Sequence, residues 1–168
     1  MLFKDITIRE FQKSDSLDEL TDLLHRSYKI LADMNLKYVA TYQDVSITKK
    51  RINKGVCFVA VNNEKIIGTV TYYSPENSVG SLWLEKEGVA HFGQLGVEPD
   101  YRNKGIGSLL ISHVEKFAQK QGVSELALDT AEPAKHLIDW YEKLGYRFIE
   151  HCQWKMTNYR SVIMSKKL

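Results

Sequence analysis

A strand, a sharp turn and a helix follow one another directly in residues 89–118, and this succession limits the possible folds more than any other stretch. Val89–Val97 (VAHFGQLGV) is typical of a β-strand, which Pro99 ends. The turn Arg102–Gly107 holds two cations and two glycines, and apolar residues then recur at helical spacing as far as Ala118. Such a turn favours a phosphate ligand, because the unpaired N–H groups and the dipole of a helix start attract an anion.

Two common phosphate-binding motifs do not match this turn. A dinucleotide fold needs a third glycine where Leu110 stands, and a nucleotide P-loop needs its lysine after the glycines, whereas Lys104 precedes them. The remaining pattern is [QR]-x-x-G-x-[GA], from Arg102 to Gly107. Here Gly105 and Gly107 would let the backbone approach a pyrophosphate, and the two cations would add charge-assisted contacts. Taken alone, the six residues are equally consistent with a capped helix start that binds no ligand.

Periodicity predicts the other elements. Alternation of apolar and polar residues predicts strands at Phe3–Phe11, Val56–Val61, Ile66–Tyr73, Ser124–Thr130, Tyr146–Cys152 and Tyr159–Ser165. Helical spacing predicts helices at 17–31, at Tyr42–Asn53 with Gly55 as the stop signal, at 106–118 before Gly122, and at 134–144 before Gly145. Asn62–Lys65 separates two of the strands at the spacing of a hairpin turn. The order is therefore β-α-α-β-β-β-α-β-α-β-β.

This order indicates one α/β (α+β) domain covering residues 1–168. The hairpin rules out an all-parallel sheet and strands outnumber helices, so we expect a mixed sheet with helices on both faces. A length of 168 residues suits a single domain with a substantial core, and the sequence shows no internal repeat or linker.

Composition argues against several functions. A net charge of +2 without a dense block of lysine and arginine argues against nucleic-acid binding. The two cysteines, Cys57 and Cys152, lie far apart without a CxxC or Cys/His spacing, so we expect no metal and two reduced thiols. The N-terminus has no signal-peptide pattern and no apolar run approaches about 20 residues, so we expect a cytoplasmic protein without membrane partners.

Two motifs at a fixed separation resemble a known family. The first is the strand ending LGVEP with the helix start RNKGIG, and the second is the helix end Tyr141-Glu-Lys-Leu-Gly145-Tyr. Together, over residues 90–149, they resemble the GCN5-related N-acetyltransferase (GNAT) family. The resemblance implies the GNAT fold: a mixed, mostly antiparallel central sheet, flanked by helices on both faces and splayed at the two strands that bind acetyl-CoA. It also implies an acyl-CoA-dependent N-acyltransferase, in which an amine attacks the thioester directly without an acyl-enzyme.

The same resemblance implies acetyl-CoA as the cosubstrate, bound between the strands at 89–97 and 124–130, and no metal. The pantetheine arm would bond to the backbone of the first strand, and the pyrophosphate would rest on the loop before the helix. The residues implied are Leu95, Gly96 and Val97 on the strand, and Arg102, Asn103, Lys104, Gly105, Ile106, Gly107 and Ser108 on the loop. One family feature is missing, because the asparagine expected seven residues before the helix tyrosine is Ala134 here. Thr130, Glu132 or Lys135 would have to replace its contact with the arm.

The resemblance implies two catalytic roles. The backbone N–H of Val97 would polarise the thioester carbonyl, and Tyr141 would protonate the departing CoA sulfur. Tyr141 also shares an apolar helical stripe with Leu144, so a purely structural tyrosine is the competing interpretation. Two residues are candidate bases, Glu87 before the central strand and His91 on it. Each has a plain alternative, Glu87 as a solvated charge and His91 as a core histidine.

The sequence does not select a single acceptor. In this fold the first two helices and the loop before the central strand shape the acceptor pocket, and here they hold aromatic and acidic side chains. The aromatic residues are Tyr28, Tyr38, Tyr42, Tyr72, Tyr73 and Trp83, and the acidic residues are Asp33, Asp44, Glu85 and Glu87. They slightly favour a small cationic amine over a protein N-terminus, although packing explains most of the aromatic residues equally well. A catalytically silent CoA-binding or interaction module is the alternative to an enzyme, and the two C-terminal strands offer an edge for a homodimer.

Overall fold

The computed structural model describes residues 5–168, in which four α-helices and seven strands follow the predicted order. The helices are α1 (Leu17–Asp33), α2 (Val45–Ile52), α3 (Ile106–Lys120) and α4 (Lys135–Lys143). The strands are β1 (Ile6–Glu10), β2 (Val56–Asn62), β3 (Lys65–Tyr73), β4 (Val89–Val97), β5 (Glu125–Ala131), β6 (Arg147–Cys152) and β7 (Ser161–Lys167). Phe3, where the sequence predicts the first strand to begin, lies outside the described residues.

All seven strands form one sheet in the order β1-β2-β3-β4-β5-β7-β6. Neighbouring strands are antiparallel except β4 and β5, which are parallel and are connected through α3. An apolar cluster covers each face: one joins Leu110 of α3 to Phe92 of β4, and the other joins Leu24 of α1 to Val59 of β2. The predicted mixed, mostly antiparallel sheet with helices on both faces is confirmed.

A two-residue turn joins the antiparallel strands β2 and β3. Asn62 pairs with Lys65, and the two residues between them, Asn63 and Glu64, have φ values of 47° and 66°. Two successive positive φ values give a turn that matches the right-handed twist of the flanking strands. The predicted hairpin is therefore present.

Strands β4 and β5 separate after a short paired segment. Val89–His91 pairs with Glu125–Ala127, and within residues 5–168 no strand pairs with the rest of β4 on that side. The parallel pairing ends at His91, and beyond it the two strands splay apart as the resemblance implies.

A β-bulge in β4 accompanies this separation. Gly93 pairs with Thr71 and Gly96 pairs with Thr69, so two residues of β4 lie opposite one residue of β3. Gln94, inside the bulge, has φ +51°. Because a bulge bends and twists its strand, it turns the C-terminal half of β4 out of line with β5.

Helix α2 is shorter than predicted, covering Val45–Ile52 rather than Tyr42–Asn53. The side chain of Asp44 accepts a hydrogen bond from the backbone N–H of Ile47 at 2.9 Å. This N-cap satisfies one of the free donors of the first turn and so starts the helix at Val45.

The glycine after α2 does not have its predicted role. The C-cap residue of α2 is Asn53, and Gly55 instead passes so close to β3 that a Cβ would lie 2.0 Å from the carbonyl oxygen of Tyr72. Gly122 and Gly145 do follow their helices in the left-handed conformation, with φ values of +77° and +94°. Gly55 is therefore needed for space rather than for its backbone angles.

Replacing Gly55 with alanine should destabilise the fold by about 3 kcal/mol, because the added methyl group collides with the backbone of β3. Gly122→Ala is the matched control, since its φ is +77° but a Cβ there would meet nothing within 4 Å. Backbone strain alone should cost it about 1 kcal/mol. Urea denaturation of both variants measures the difference, and a Gly122→Ala cost equal to or above that of Gly55→Ala would contradict the packing argument.

Candidate active site

The splay between β4 and β5 opens into a cavity of about 990 Å³. Its wall is formed by α1 and the turn after it, α2, the diverging halves of β4 and β5, the loop before α3, α4 and the segment 154–159. The cavity therefore lies between elements from both faces of the sheet.

The backbone of β4 presents an unpaired N–H group to the cavity. Leu95, Gly96 and Val97 line the wall at a point where β5 has already diverged. The N–H of Glu98 donates to the carbonyl oxygen of Ile67 on β3 at 2.8 Å. Because successive N–H groups along a strand point to opposite edges, the N–H of Val97 points away from β3 and toward the cavity.

Helix α1 is attached to both the strand and the loop that border the cavity. A Cβ on Gly96 would lie 2.4 Å from Oγ of Ser27, so a side chain there would push α1 away from β4. Arg102 donates from Nη2 to the carbonyl oxygen of Ser27 at 2.5 Å. Arg102 therefore lines the cavity while its guanidinium is bonded to α1.

The loop before α3 leaves the helix N-terminus without a side-chain cap. Gly105 is the N-cap residue with φ +80°, and Asn103 is also left-handed with φ +58°. Both residues line the cavity together with Ile106, Gly107 and Ser108. The unpaired N–H groups of the first helical turn are therefore available to a ligand in the cavity.

Of the remaining residues of this loop, Lys104 differs from expectation, whereas Gly107 lines the cavity. Lys104 is exposed and lies off the cavity wall, with its Nζ 5.2 Å from the ring centroid of Tyr101. A Cβ on Gly107 would lie 3.1 Å from Cη2 of Trp140 on α4. Of the two cations expected at the pyrophosphate, Arg102 lines the cavity and Lys104 does not.

Tyr141 of α4 belongs to the apolar core and to the cavity wall at once. Its ring packs edge-on against those of Phe92 and Tyr146, with centroids 6.3 and 6.2 Å away. Burial raises the pKa of Tyr141 well above 10, so its hydroxyl stays protonated at neutral pH. Packing and proton donation are therefore compatible at this position.

The two candidate bases have different surroundings. Glu87 is exposed and lies off the cavity wall. His91 lines the wall, stacked on Tyr73 with 4.7 Å between ring centroids and with Nδ1 2.6 Å from Oγ of Ser78. Burial, assisted by the charge of Arg51, lowers the pKa of His91 to about 4. The imidazole is therefore neutral at pH 7, with one ring nitrogen unprotonated.

Thr130 is the one expected substitute for the missing asparagine that lines the cavity. It is buried, and its Oγ1 lies 2.8 Å from the hydroxyl of Tyr38. Lys135 is exposed, and Glu132 forms an ion pair with Arg160 at 2.7 Å. Both of these side chains lie off the wall.

Four further charged residues line the cavity although the sequence does not single them out: Lys50, Arg51, Lys54 and Asp129. Asp129 of β5 accepts a hydrogen bond from Nε1 of Trp154 at 3.0 Å, and burial raises its pKa. Arg51 of α2 donates to Oε1 of Gln43 at 2.6 Å. The alternation of β5 carries a signal for Asp129, because Asp129 falls on the face opposite Leu126 and Leu128.

The family model described as Acetyltransferase (GNAT) family matches residues 17–146, which include every part of the cavity wall except the segment 154–159. This chain belongs to the GNAT acetyltransferase family. A Bacillus subtilis protein named S-(2-succino)cysteine N-acetyltransferase is 28% identical to it over 131 residues, which are 77% of each chain. An uncharacterised N-acetyltransferase of Methanocaldococcus jannaschii is 30% identical over 148 residues, covering 86% of this chain and 62% of the relative.

Solved GNAT structures share the fold along nearly the whole chain. A GNAT family acetyltransferase from Elizabethkingia anophelis with acetyl-CoA bound has a TM-score of 0.70 to this structure at 16% identity. The match covers 98% of this chain and 99% of the other. At this identity the likeness establishes the fold, and the GNAT fold expected from the sequence is confirmed.

The GNAT family uses acetyl-CoA, and the cavity of this member has groups that fit it. The N–H of Val97 is free for a carbonyl oxygen, and the uncapped start of α3 is free for a pyrophosphate. Within residues 5–168, no cluster of three or more His, Cys, Asp or Glu side chains could hold a metal ion. In the same residues, no helix is both long enough and apolar enough to span a bilayer.

Acetyl-CoA at about 100 times its Kd should stabilise this GNAT protein by about 2.7 kcal/mol, seen as a rise in Tm. Gly107→Val should abolish the rise, because the new side chain meets Trp140 and occupies the start of α3. Ser112→Val, on the same helix but off the cavity wall, should retain it. A wild-type protein whose Tm does not rise, or a Gly107→Val variant whose Tm still rises, would contradict the pyrophosphate site.

His91 should make the fold less stable as the pH falls from 6.5 to about 4. Over that range the unfolded chain binds a proton at this histidine and the folded protein does not, which removes at most about 3 kcal/mol. His91→Gln should therefore lose less stability across the same range. Urea denaturation of both proteins at the two ends of the range tests this, and equal losses would show that the ring is not held neutral.

Proposed function

We propose that this protein is an acetyl-CoA-dependent N-acetyltransferase that acetylates the primary amine of a small molecule. The observation that carries the proposal is the presence, on one cavity wall, of the backbone of Val97, the hydroxyl-bearing Tyr141 and two proton acceptors, His91 and Asp129. Membership of the GNAT family supports the same class of reaction. When bound, acetyl-CoA supplies the thioester carbonyl that the amine attacks.

Each of these groups has one task. The N–H of Val97 donates to the carbonyl oxygen as negative charge develops there. His91 or Asp129 accepts the proton that the amine loses as the C–N bond forms. Tyr141 donates its proton to the sulfur as the C–S bond breaks, and the proton held by the base returns to the tyrosine through solvent. Glu87, the other base considered from the sequence, is exposed and has no part in this scheme.

Direct attack by the amine fits these residues better than an acyl-enzyme does. A covalent mechanism would need an activated nucleophile, and cysteine is intrinsically the strongest candidate. Neither Cys57 nor Cys152 lies on the cavity wall. Burial raises the pKa of both thiols, which lowers the fraction of reactive thiolate at neutral pH. The incoming amine is then the nucleophile.

The charge of the acceptor differs from the sequence-based expectation in this proposal. The acidic residues that favour a cationic amine are all exposed and lie off the cavity wall, namely Asp33, Asp44, Glu85 and Glu87. Asp129, which does line the wall, is available to bind or deprotonate one amine. The Bacillus subtilis relative is named for S-(2-succino)cysteine, so this compound is the first acceptor to test.

Tyr141→Phe should lower kcat for CoA release by about 10²-fold, because the sulfur then leaves without its proton donor. The Kd for acetyl-CoA should be nearly unchanged, since the substitution removes a single hydroxyl group. Tyr146→Phe is the control, because Tyr146 is also buried but lies off the cavity wall. Its hydroxyl donates to Oε1 of Glu115 at 2.9 Å. Thiol detection of released CoA measures all three proteins.

Two results would change this assignment. An unchanged kcat in Tyr141→Phe would remove its role as the acid. A wild-type protein that binds acetyl-CoA but releases no CoA with S-(2-succino)cysteine, amino acids, polyamines or peptides would be the CoA-binding module that the sequence leaves open.

A further inference from the structure

The cavity wall is cationic on the side formed by α2. Ile47, Lys50 and Arg51 line it from one face of the helix, and Lys54 lines it from the turn that follows. Among the described residues, Asp129 is the sole carboxylate on the wall. An acceptor with a positive charge alone would be poorly matched to this side of the cavity.

Arg51 lacks the carboxylate partner that most arginines of this chain have. Arg9, Arg26, Arg147 and Arg160 each form an ion pair, whereas no carboxylate of residues 5–168 lies within 4.0 Å of Arg51. Arg51 is half-buried, and its charge acts on Asp129 of β5 only from beyond 4.0 Å, which is too far for an ion pair. Its guanidinium therefore keeps the capacity for a bidentate bond to a carboxylate.

Buried amides hold Arg51 in place. Gln43 is fully buried and accepts from Nη1 of Arg51 at 2.6 Å. The Nε2 of Gln43 in turn lies 2.7 Å from Oγ1 of Thr48 and 2.9 Å from Oε1 of Gln94. Gln94 is the bulge residue with positive φ. The bulge that separates β4 from β5 thus also orients the guanidinium, and a preorganised group binds its ligand at a lower entropic cost.

Arg51 lies on the opposite face of the sheet from α3. At His91 and Tyr73, burial is the main cause of the shifted pKa, and the positive charge of Arg51, which acts to lower both, is the second. The guanidinium is therefore within electrostatic reach of these two side chains. Their neighbours Phe92 and Tyr72 point to the other face and pack in the cluster that contains α3. The ligand of Arg51 is accordingly separate from a pyrophosphate at the start of α3.

We propose, resting on the N-acetyltransferase function above, that the acceptor is an amino acid or a related amine with a carboxylate close to the amine, and that Arg51 binds this carboxylate. Asp129 faces the amine from β5. Lys50 of α2 and Lys54 in the turn after it, both exposed, accommodate a further carboxylate on the acceptor side chain. The C–N bond still forms as the C–S bond breaks, so no additional reactant is needed.

Matched pairs of acceptors test this assignment. L-Glutamate, L-methionine and S-carboxymethyl-L-cysteine are each assayed, by release of CoA thiol, beside the amine that lacks the α-carboxylate. The amino acid should have the higher kcat/KM, by about 10²-fold for the preferred pair. Arg51→Met should erase this preference mainly by raising KM for the amino acid, while the Kd for acetyl-CoA stays at the wild-type value. Lys49→Met removes a charge from an exposed position of α2 off the wall and should change neither quantity.

A binding measurement separates this proposal from the transferase function. The N-acetyl derivative of each amine and amino acid is titrated by calorimetry into protein saturated with CoA. Tighter binding of the carboxylate-bearing derivatives, lost in Arg51→Met and kept in Lys49→Met, supports the carboxylate site even if nothing is turned over, and then only the transferase function fails. If both members of each pair bind and react equally, if neither derivative binds, or if Arg51→Met behaves as wild type, the carboxylate site is wrong.

Discussion

The separation of β4 from β5 beyond His91 determines where every group of the site lies. Backbone N–H groups withdrawn from water need hydrogen-bond partners, and at Val97 the sheet supplies none on the side that faces the cavity. A ligand that bonds to this edge would complete the sheet as an added strand does. A few residues further along the chain, the N–H groups at the uncapped start of α3 also need hydrogen-bond partners.

One irregular residue links this edge to the opposite wall. Gln94 adopts a left-handed conformation, which costs a non-glycine residue about 1 kcal/mol. This single departure from regular strand geometry therefore positions two groups. They are the N–H of Val97, proposed to bind the acyl carbonyl, and the guanidinium of Arg51, proposed to bind the acceptor.

Short-range signals were enough to predict the elements and the loop. Alternation and helical spacing located the strands and helices, the spacing at Asn62–Lys65 located the hairpin, and the glycines located the loop before α3. The cavity wall is different, because it is assembled from segments that are distant in sequence. Arg51 on a short helix and Asp129 on β5 come to line one cavity only once the sheet is formed.

The same limit applies to the two cations of the glycine loop. Arg102 and Lys104 have the same charge and lie two positions apart, so a motif treats them alike. The contact with the Ser27 carbonyl holds Arg102 inward, whereas Lys104 extends over the ring of Tyr101 and into solvent. Such a difference depends on tertiary contacts that no local pattern contains.

The hydrogen bond between Arg102 and Ser27 also couples two parts of the cavity wall. Tyr28, the next residue of α1, is part of the cavity wall, so the loop before α3 and this part of the wall are joined at one carbonyl group. If a bound pyrophosphate breaks the hydrogen bond between Arg102 and Ser27, this part of the wall loses that restraint. Coupling of this kind is reciprocal in binding free energy, and each substrate would alter the affinity for the other by the same factor.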